Sequence, residues 1–571
     1  MASLIAKKIR GHTYYYAREC KRVNGQPKIV WQKYLGRADD IISAFPRAVT
    51  SPPVTPPASA SVTDFAAVVS LYDLAHRLKL VDFIDRHVPK RGAGPSVGTY
   101  LLVATLNRCL APCSKASIEQ WFQTTVLRRL LNLRPEQLSS QRFWDNMDRV
   151  HQEALEHIEA DLVTHMVREF AVDVRRLLFD ATNFFTYIDS FNQRSTLAQR
   201  GKSKEGRAAL RIVGVALLVT TDFHLPLLHK TYPGNRSDSP TFSSLTSELI
   251  DRCQALTGEA ESVTLVFDKG NNSKHNLKAL AESSLHFIGS LVPTQHRDLL
   301  SLPDSQFRSL ASERLPGVRV VRTEKKIFGV LRTVLVVYNQ ALFDAQIQTL
   351  LREIGKRQRL LQELKQRLDA WACKPTPAGK PPTLAGTKKK IDAWLKARHM
   401  KELFLIDLTE AEGLPVLSFR FDDQAWDHLQ RTLLGKTLLF TDLADWSDAE
   451  IVRGYRSQAH IEQAFRTMKD PRHIALRPQY HWTDQKVAVH VFCCVLALML
   501  VSLLQREIER AGLRGSIPEI LDELGHVREI TVLYPSAQPG QTPTLYTTLS
   551  EMNERQRQMF TALGLDRYRA C

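Results

Sequence analysis

The chain has 571 residues, of which 44% are hydrophobic and 24% are charged. These proportions are ordinary for a globular protein and exclude wholesale disorder, and the length allows roughly three or four domains. The net charge of +17 lies in two segments, +7 in residues 1–50 and +10 in residues 352–401, which favours a polyanionic partner over a merely solubilising basic tail.

The N-terminal third predicts a small sheet, a linker and a helical domain. Residues 1–45 alternate apolar and polar side chains around Asn24-Gly25, which predicts a basic β-hairpin whose aromatic residues either contact DNA or pack against a core. Residues 46–62 are rich in Pro, Ser and Ala and predict an extended linker. Residues 63–172 show helical periodicity, which predicts an all-helical domain for DNA binding or dimerisation.

The middle of the chain predicts an α/β core with a mixed sheet. Residues 173–294 contain three apolar strands in hairpin order, followed by helix, strand, helix and strand. Residues 295–442 begin and end in strands and predict a β-rich insertion that bears a basic helical arm. The core resumes over residues 443–512, and residues 513–571 form a C-terminal region.

Two apolar segments each allow two interpretations. Apolar residues recur every seven positions from Ile347 to Leu368, so this helix packs against either the helix near residues 388–400 or a second copy of the chain. The apolar run at 487–504 reaches the lower limit for a membrane helix, but it contains His490 and has polar flanks. We therefore expect a helix buried inside a domain.

The cysteines and the first residues indicate the cellular compartment and argue against a zinc site. The eight cysteines are scattered and form no CxxC pair, so we expect neither a disulfide framework nor a zinc site. The first residues contain no apolar stretch long enough for a signal peptide. We expect a cytoplasmic protein that associates with the nucleoid.

Two aspartates stand in places that predict a ligand site. Asp180 lies within the apolar strand LLFDATNFF, where a charged side chain is costly unless it binds something. Asp268 ends the apolar strand LVFDKG, and strand ends of α/β sheets are where ligand sites collect. Either aspartate alone could be a turn or capping residue, but their occurrence on two strands of one segment favours a shared site.

A third carboxylate lies on a predicted helix. Ser447 and Glu450 have the spacing of a capping box, so we expect a helix that begins near residue 448. One stripe of this helix carries a glutamate among three polar residues, namely Tyr455, Gln458, Glu462 and Lys469. The alternative is a solvated helix face.

The segments FDATNF, VFDKG and YRSQAHIEQAFRTMK together resemble the bacterial DDE-type insertion-sequence transposases. More narrowly, they resemble the insertion-sequence-four superfamily, which is defined by Tyr-x2-Arg-x3-Glu-x6-Lys. The resemblance implies a ribonuclease-H-like core with Asp180, Asp268 and Glu462 as catalytic residues that hold two divalent ions, Mg²⁺ or Mn²⁺. It also implies a mostly β insertion in the long interval between Asp268 and Glu462.

The same resemblance suggests which residues contact DNA. Tyr455 and Lys469 match the signature, whereas Gln458 stands where the family has an arginine, and Arg456 or Arg466 could compensate. The block of three lysines in the basic arm, Lys388, Lys389 and Lys390, is a further candidate for DNA contact.

The function expected from this sequence is cleavage at the ends of a mobile element and strand transfer into target DNA. The expected partners are the element's terminal inverted repeats, target DNA and a second copy of the chain in a homodimer that could form only on DNA. Two alternatives remain open: a nuclease or junction resolvase on the same core, and a DNA-binding protein that retains an inactive transposase fold.

Overall fold

A computed structural model describes the chain over residues 2–23, 26–44, 56–90, 92–207, 209–236, 238–257, 263–310, 312–313, 315–373, 380–477, 479–535 and 544–570. The chain divides into two compact units. The first comprises residues 1–62, 530–549 and 571, and the second comprises residues 63–529 and 550–570.

Strands and helices alternate unevenly along these residues. The strands of the described part are β1 (Ala2–Ile9), β2 (His12–Val23), β3 (Gln26–Gly36), β4 (Ser59–Asp64), β5 (Arg176–Thr186), β6 (Arg211–Thr220), β7 (Pro226–Pro233), β8 (Thr264–Phe267), β9 (His286–Ser290), β10 (Arg308–Ser309), β11 (Val318–Ile327), β12 (Val330–Asn339), β13 (Phe404–Ala411), β14 (Leu414–Phe421), β15 (Lys436–Thr441), β16 (Arg528–Tyr534) and β17 (Thr544–Leu549).

The α-helices of the same residues are α1 (Ala38–Ala44), α2 (Ala66–Arg77), α3 (Leu80–His87), α4 (Val97–Leu110), α5 (Ile118–Gln123), α6 (Leu127–Leu131), α7 (Ser140–Met147), α8 (Gln152–Glu169), α9 (Asp238–Thr257), α10 (Lys274–Ala281), α11 (Arg297–Leu300), α12 (Gln340–Ala372), α13 (Leu384–Trp394), α14 (Met400–Leu403), α15 (Asp423–Thr432), α16 (Asp448–Arg456), α17 (Gln458–Lys469), α18 (Asp484–Arg510), α19 (Ile517–Gly525) and α20 (Glu554–Ala562).

The N-terminal segment forms a three-stranded antiparallel sheet in the order β1-β2-β3. The predicted hairpin corresponds to β2 and β3, and the prediction missed β1. The turn between β1 and β2 consists of Arg10 and Gly11, both with positive φ, which is the backbone of a tight hairpin turn. Its sequence signal was only a single glycine. The second turn, predicted at Asn24-Gly25, lies outside the described residues.

The predicted linker over residues 46–62 also needs correction, because β4 begins inside it at Ser59. This strand joins a separate sheet in the order β17-β16-β4. Its partner β16 lies more than 460 residues further along the chain. Local composition carries no information about so distant a pairing, and Ser59–Asp64 therefore resembled the linker before it.

The second unit contains a nine-stranded sheet in the order β10-β11-β12-β15-β9-β8-β5-β6-β7. Strand β5 pairs antiparallel with β6 and parallel with β8, and β8 pairs parallel with β9. The three parallel strands therefore lie side by side at the middle of a mixed sheet. The predicted mixed α/β fold is confirmed at this level.

The predicted insertion over residues 295–442 is not an independent β-rich subdomain. Its strands β10, β11, β12 and β15 extend the main sheet beyond β9. Only β13 and β14 form a separate two-stranded sheet. The strands of this segment are apolar enough to be buried, and the pattern alone could not distinguish a new sheet from an extension of the old one.

The helical arm of this segment is held together within one chain. Leu350, Ile354, Leu361, Leu364 and Leu368 of α12 lie in a single apolar cluster with α13. That cluster also contains Ile391 and Leu395 from the second helix of the arm. The heptad pattern is thereby used inside the protein, and the seam is not left open for a second copy.

Helix α18 forms the centre of the helical layer. It is long and apolar enough to cross a membrane, yet its most apolar 18 residues are entirely buried within the protein. It packs against α2, α4 and β7. The predicted buried helix is confirmed, and it packs the helices of residues 63–172 against the sheet.

Candidate active site

The two aspartates lie side by side on neighbouring parallel strands. Phe179 of β5 pairs with Phe267, the last residue of β8. Asp180 is the next residue on β5, and Asp268 is the first residue after β8. Adjacent strands are roughly 5 Å apart, so the two carboxylates leave the sheet at neighbouring positions. Both side chains are half-buried. The register of one parallel pair therefore brings together two residues that are 88 positions apart in the sequence.

A serine that no sequence motif predicted extends this row. Gly289 of β9 pairs with Phe267, so Ser290 is the residue level with Asp268 on the third parallel strand. The Ser290 hydroxyl donates a hydrogen bond to Asp268 Oδ1 at 2.9 Å and accepts one from the backbone N–H of Lys269 at 3.1 Å. The contact orients the Asp268 carboxylate, and only the strand register could have revealed it.

Tyr455 links helix α16 to Asp268. Its hydroxyl donates a hydrogen bond to Asp268 Oδ1 at 3.3 Å. Burial raises the pKa of the Tyr455 hydroxyl, and the negative charge of Asp268 raises it further. Tyr455 therefore remains a neutral hydrogen-bond donor over the whole physiological pH range.

Glu462 lies on helix α17 and is exposed to solvent. Its negative charge is one of the smaller causes that raise the pKa of Tyr455. The single helix predicted from residue 448 is wrong, because it divides at Ser457 into α16 and α17. The Ser457 hydroxyl donates to the carbonyl oxygen of Gly454 at 2.5 Å, which offers an alternative to helical bonding at the division.

The capping box that predicted the start of α16 is present. The Ser447 hydroxyl accepts from the backbone N–H of Glu450, and the Glu450 carboxylate accepts from that of Ser447 at 2.9 Å. This local signal was sufficient to place the helix start. The division at Ser457 had no comparable signal.

Lys469 is the last residue of α17, and its side chain contacts strand β5 beyond Asp180. Its ammonium group donates to Thr182 Oγ1 and to the carbonyl oxygen of Asn183, each at 2.9 Å. It also forms an ion pair with Glu205 at 3.2 Å, and Arg477 pairs with the same carboxylate at 3.0 Å. Burial lowers the pKa of Lys469, while Glu205 acts in the opposite direction.

The loop that carries Glu205 covers β5 at this point. The Lys204 ammonium donates to the carbonyl oxygen of Ala181, and the Lys204 backbone N–H donates to Asn183 Oδ1 at 3.0 Å. Lys204 therefore places a positive charge beside the residue that follows Asp180. No motif in the sequence predicted a role for Lys204 or Glu205.

The remaining residues predicted to contact DNA differ in their placement. Gln458 is half-buried, and its amide nitrogen lacks a hydrogen-bond partner among the described residues. Arg466 is exposed and donates to Gln463 Oε1 at 2.9 Å. The three arm lysines, Lys388, Lys389 and Lys390, are exposed on α13, which packs against β13 and β14 rather than on the carboxylate site.

The carboxylates of Asp180 and Asp268 are suited to a hard divalent cation, although the described side chains do not form a complete metal site. Among the described residues, no three His, Cys, Asp or Glu side chains lie close enough together to hold a metal ion. Asp180 and Asp268 supply carboxylate oxygens from neighbouring positions, which are the ligands that Mg²⁺ and Mn²⁺ prefer. The pair fits such an ion, and a third carboxylate would have to come from Glu462.

Comparison with known proteins gives one match over most of this region. The sequence profile of a family described as "Transposase DDE domain" matches residues 175–500, more than half of the chain. No curated protein sequence matches the chain. A solved structure described as "Cryo-EM structure of piggyBac transposase synaptic complex with hairpin DNA (SNHP)" is similar with a TM-score of 0.37 and 8% identity, covering 82% of each chain.

Proposed function

This chain belongs to the transposase DDE domain family, and we propose that it is a DNA transposase that cuts the ends of a mobile element and joins them to target DNA. The observation that carries the proposal is the register of β5 and β8, which puts Asp180 and Asp268 at neighbouring positions under α16 and α17. We further propose membership of the insertion-sequence-four superfamily, on the spacing of Tyr455, Glu462 and Lys469.

The arrangement of strands supports a ribonuclease-H-like core. Counted within the core, Asp180 lies on the first strand and Asp268 directly after the fourth, and Glu462 lies on a later helix. This is the order that the family resemblance implies. The interval of 194 residues between Asp268 and Glu462 contains β10 to β15 and the helical arm.

We propose that Asp180, Asp268 and Glu462 hold divalent ions, Mg²⁺ or Mn²⁺. Such ions, when bound, activate the attacking oxygen and stabilise the leaving oxygen of a phosphodiester. Asp180 and Asp268 supply ligands from two rigid strands, whereas Glu462 supplies one from a separate helix. Ser290 and Tyr455 orient the Asp268 carboxylate by donating to the same oxygen, Oδ1.

The cations around the site bind the DNA backbone in this proposal. Lys469 and Lys204 lie along β5 beside Asp180, and Arg477 lies beyond them. Glu205 neutralises part of this charge by pairing with both Lys469 and Arg477. Gln458 offers a phosphate an amide hydrogen bond but no charge, which is weaker than the bidentate contact of an arginine.

The active species is proposed to be a homodimer or larger assembly, because two element ends have to be cut and inserted together. The α12 seam is used within one chain, so we propose that the interface involves the helices of residues 63–172 instead. Mass photometry with and without element-end DNA tests this proposal. Cleavage of both ends by a species that stays monomeric on DNA would contradict it.

The test of the proposed function is a cleavage and joining assay. The full chain is incubated with DNA that carries the inverted repeats flanking its coding region, a supercoiled target plasmid and Mg²⁺. We expect cuts at the repeat ends and joined products that are lost in EDTA. Cutting without joining would indicate a nuclease or resolvase, and binding without cutting would indicate an inactive fold that only binds DNA.

A further inference from the structure

A second site lies outside the carboxylate row, in a cavity of about 420 Å³. Its lining includes Arg108, Lys115 and Trp144 on one side and Arg477, Gln479 and Trp482 on the other. Its volume is within the range of about 300–1,000 Å³ that is typical of small-molecule sites. The Gln479 carbonyl accepts from the backbone N–H of Tyr187 at 2.8 Å, seven residues beyond Asp180. At about 3.3 Å per strand residue, the cavity lies roughly 20 Å from the carboxylates.

The cavity contains two buried cations that have no carboxylate partner. Arg108 is 7% exposed and Lys115 is 9% exposed. The guanidinium of Arg108 donates to carbonyl oxygens only, those of Cys113, Ile474 and Ala475. The Lys115 ammonium lies 6.0 Å from the centre of the Phe143 ring and has neither a hydrogen bond nor an ion pair among the described residues. Burial lowers the pKa of Lys115, and an anion in the cavity would stabilise its charged form.

The histidines of the cavity do not contribute to this charge. Burial, and then the charges of Lys115 and Arg108, lower the pKa of His481 to about 3. Burial also holds the pKa of His490 well below its usual value. Both rings are therefore neutral at pH 7, and Nδ1 of each lacks a partner among the described residues. They offer hydrogen bonds without charge.

Gln479 gives the cavity the means to recognise a flat heterocycle. Its side chain is 1% exposed, yet neither the oxygen nor the nitrogen of its amide has a hydrogen-bond partner in the described part of the chain. A buried amide in this state costs free energy until a ligand supplies both an acceptor and a donor. A glutamine amide pairs in this way with the adjacent donor and acceptor of adenine.

The mouth of the cavity is lined by exposed aromatic side chains. Tyr480 is 69% exposed, Trp482 is 48% exposed and the neighbouring Tyr187 is 46% exposed. The rings of Tyr187 and Tyr480 stack at 5.5 Å, and the Arg194 guanidinium lies 5.1 Å from the Trp482 ring centre. Exposed aromatic rings beside cations are the surface on which nucleobases stack in single-strand binding proteins.

We propose that this cavity binds a nucleotide, with its phosphate toward Lys115 and Arg108, its base edge on Gln479 and its ring face against Tyr480 or Trp482. Two sources share this chemistry: an unpaired nucleotide of the DNA strand held at the carboxylate site, and a free mononucleotide. The first source rests on the proposed function, whereas the second does not.

The test measures binding without catalysis, on the full chain in EDTA. The probes are 2′-deoxyadenosine 5′-monophosphate, inorganic phosphate, an element-end duplex, and the same duplex with one unpaired adenine. Tryptophan fluorescence reports the mononucleotide, because Trp144 and Trp482 line the cavity, and anisotropy reports the duplexes. We expect the unpaired adenine to tighten binding roughly tenfold, or the mononucleotide to quench the fluorescence at micromolar concentration.

Two variants separate recognition from folding. Gln479→Glu keeps the shape of the side chain but gives the cavity its own carboxylate, so it should abolish nucleotide binding without lowering the thermal unfolding midpoint. Tyr480→Ala removes an exposed ring and should weaken binding roughly tenfold. Leu405→Ala, which truncates an exposed side chain on β13, is the matched control and should leave nucleotide binding unchanged.

Each outcome decides between the possibilities. Binding of the mononucleotide that is lost in Gln479→Glu supports the free source, and a preference for the unpaired adenine that is lost in the same variant supports the strand source. The proposal would be overturned if inorganic phosphate competed as strongly as the mononucleotide and Tyr480→Ala bound the probes as wild type does. It would also be overturned if Gln479→Glu changed the binding of no probe. In that second case, the proposed function still stands if wild type binds the duplex, and it is contradicted if wild type does not.

Discussion

Strand β5 leads from one unbalanced region of charge to another. In its middle, Asp180 lies beside Asp268, and these carboxylates are half-buried with neutral donors, Ser290 and Tyr455, around Asp268. Beyond its far end, Arg108 and Lys115 are buried and pair with no carboxylate among the described residues. The first region is suited to cations and the second to an anion, so each fits a different part of the metal-dependent reaction on DNA that we propose.

The residue between the two regions is Glu205. It pairs with Lys469, which lies beside the carboxylates, and with Arg477, which lines the cavity. Glu205 thus neutralises the cations between the two regions. The contrast teaches that a buried cation without a carboxylate partner among the described residues, rather than charge itself, marks a place where an anion is needed.

The largest effect is expected from removing the carboxylate charges. Asp180→Asn, Asp268→Asn and Glu462→Gln should each reduce cleavage of element ends by about a thousandfold, because a lost metal ligand removes several kcal/mol of transition-state stabilisation. Binding of the same DNA in EDTA should remain. Asp173→Asn, an exposed carboxylate just before β5 that pairs with Arg175, is the control. Near wild-type cleavage by any of the three variants would remove that residue from the site.

A smaller effect is expected from the cation beside the carboxylates. Lys469→Met should reduce cleavage roughly a hundredfold, because it removes a positive charge that we propose contacts the DNA backbone at β5. Lys230→Met on β7, a lysine of similar burial that pairs with Glu156, should leave the cleavage rate of folded protein unchanged. Equal losses in both variants would show that Lys469 acts only through stability.

The cavity predicts a pH dependence of stability. The pKa of His481 is about 3 in the folded protein, below the ordinary value of about 6.5. The unfolded chain therefore takes up a proton that the folded chain does not, and stability falls as the pH drops below 6.5. The loss amounts to about 1.4 kcal/mol per pH unit for this group.

Thermal unfolding at pH 7 and pH 5 measures this loss. The decrease in the midpoint should be smaller in His481→Phe than in wild type, since the variant has no ring to protonate. His526→Asn replaces an exposed histidine and should behave like wild type. A pH-dependent decrease in His481→Phe as large as that of wild type would contradict a buried neutral ring.

The smallest effect is expected from the lysines of the helical arm, which belongs to neither the carboxylate site nor the cavity. Replacing Lys388, Lys389 and Lys390 by Ala should weaken DNA binding and flatten its salt dependence, by up to about one unit of log–log slope per lost phosphate contact. Lys278→Ala on α10, an exposed lysine that pairs with Glu282, is the control. An unchanged slope in the folded triple variant would indicate that these lysines are only solvated.

The sequence predicted features that have local causes. The capping box of Ser447, the buried apolar helix α18 and the strands carrying Asp180 and Asp268 all follow from residues a few positions apart. Such signals place elements and the residues they carry.

What the sequence could not predict depends on distant pairing. Ser290 joins the site through the register of β8 and β9, and Glu205 through a loop packed over β5. The cavity brings Lys115 near Gln479, although more than 360 positions separate them. The extension of the main sheet by β12 and β15 and the division of the helix at Ser457 likewise had no local signal.

The central claim is that Asp180 and Asp268 hold the metal ion of a DNA-cutting site. It is tested most directly by exchanging the ligand chemistry at one position and following cleavage of element ends in Mg²⁺ and in Mn²⁺. In Asp180→Cys, a thiolate replaces a hard oxygen ligand, and softer Mn²⁺ tolerates this ligand better than Mg²⁺. We predict a variant that is inactive in Mg²⁺ and regains measurable cleavage in Mn²⁺, while Asp180→Ala stays inactive in both. Cleavage by Asp180→Cys at the wild-type rate in Mg²⁺ would contradict the claim, as would equal recovery of Asp180→Ala in Mn²⁺.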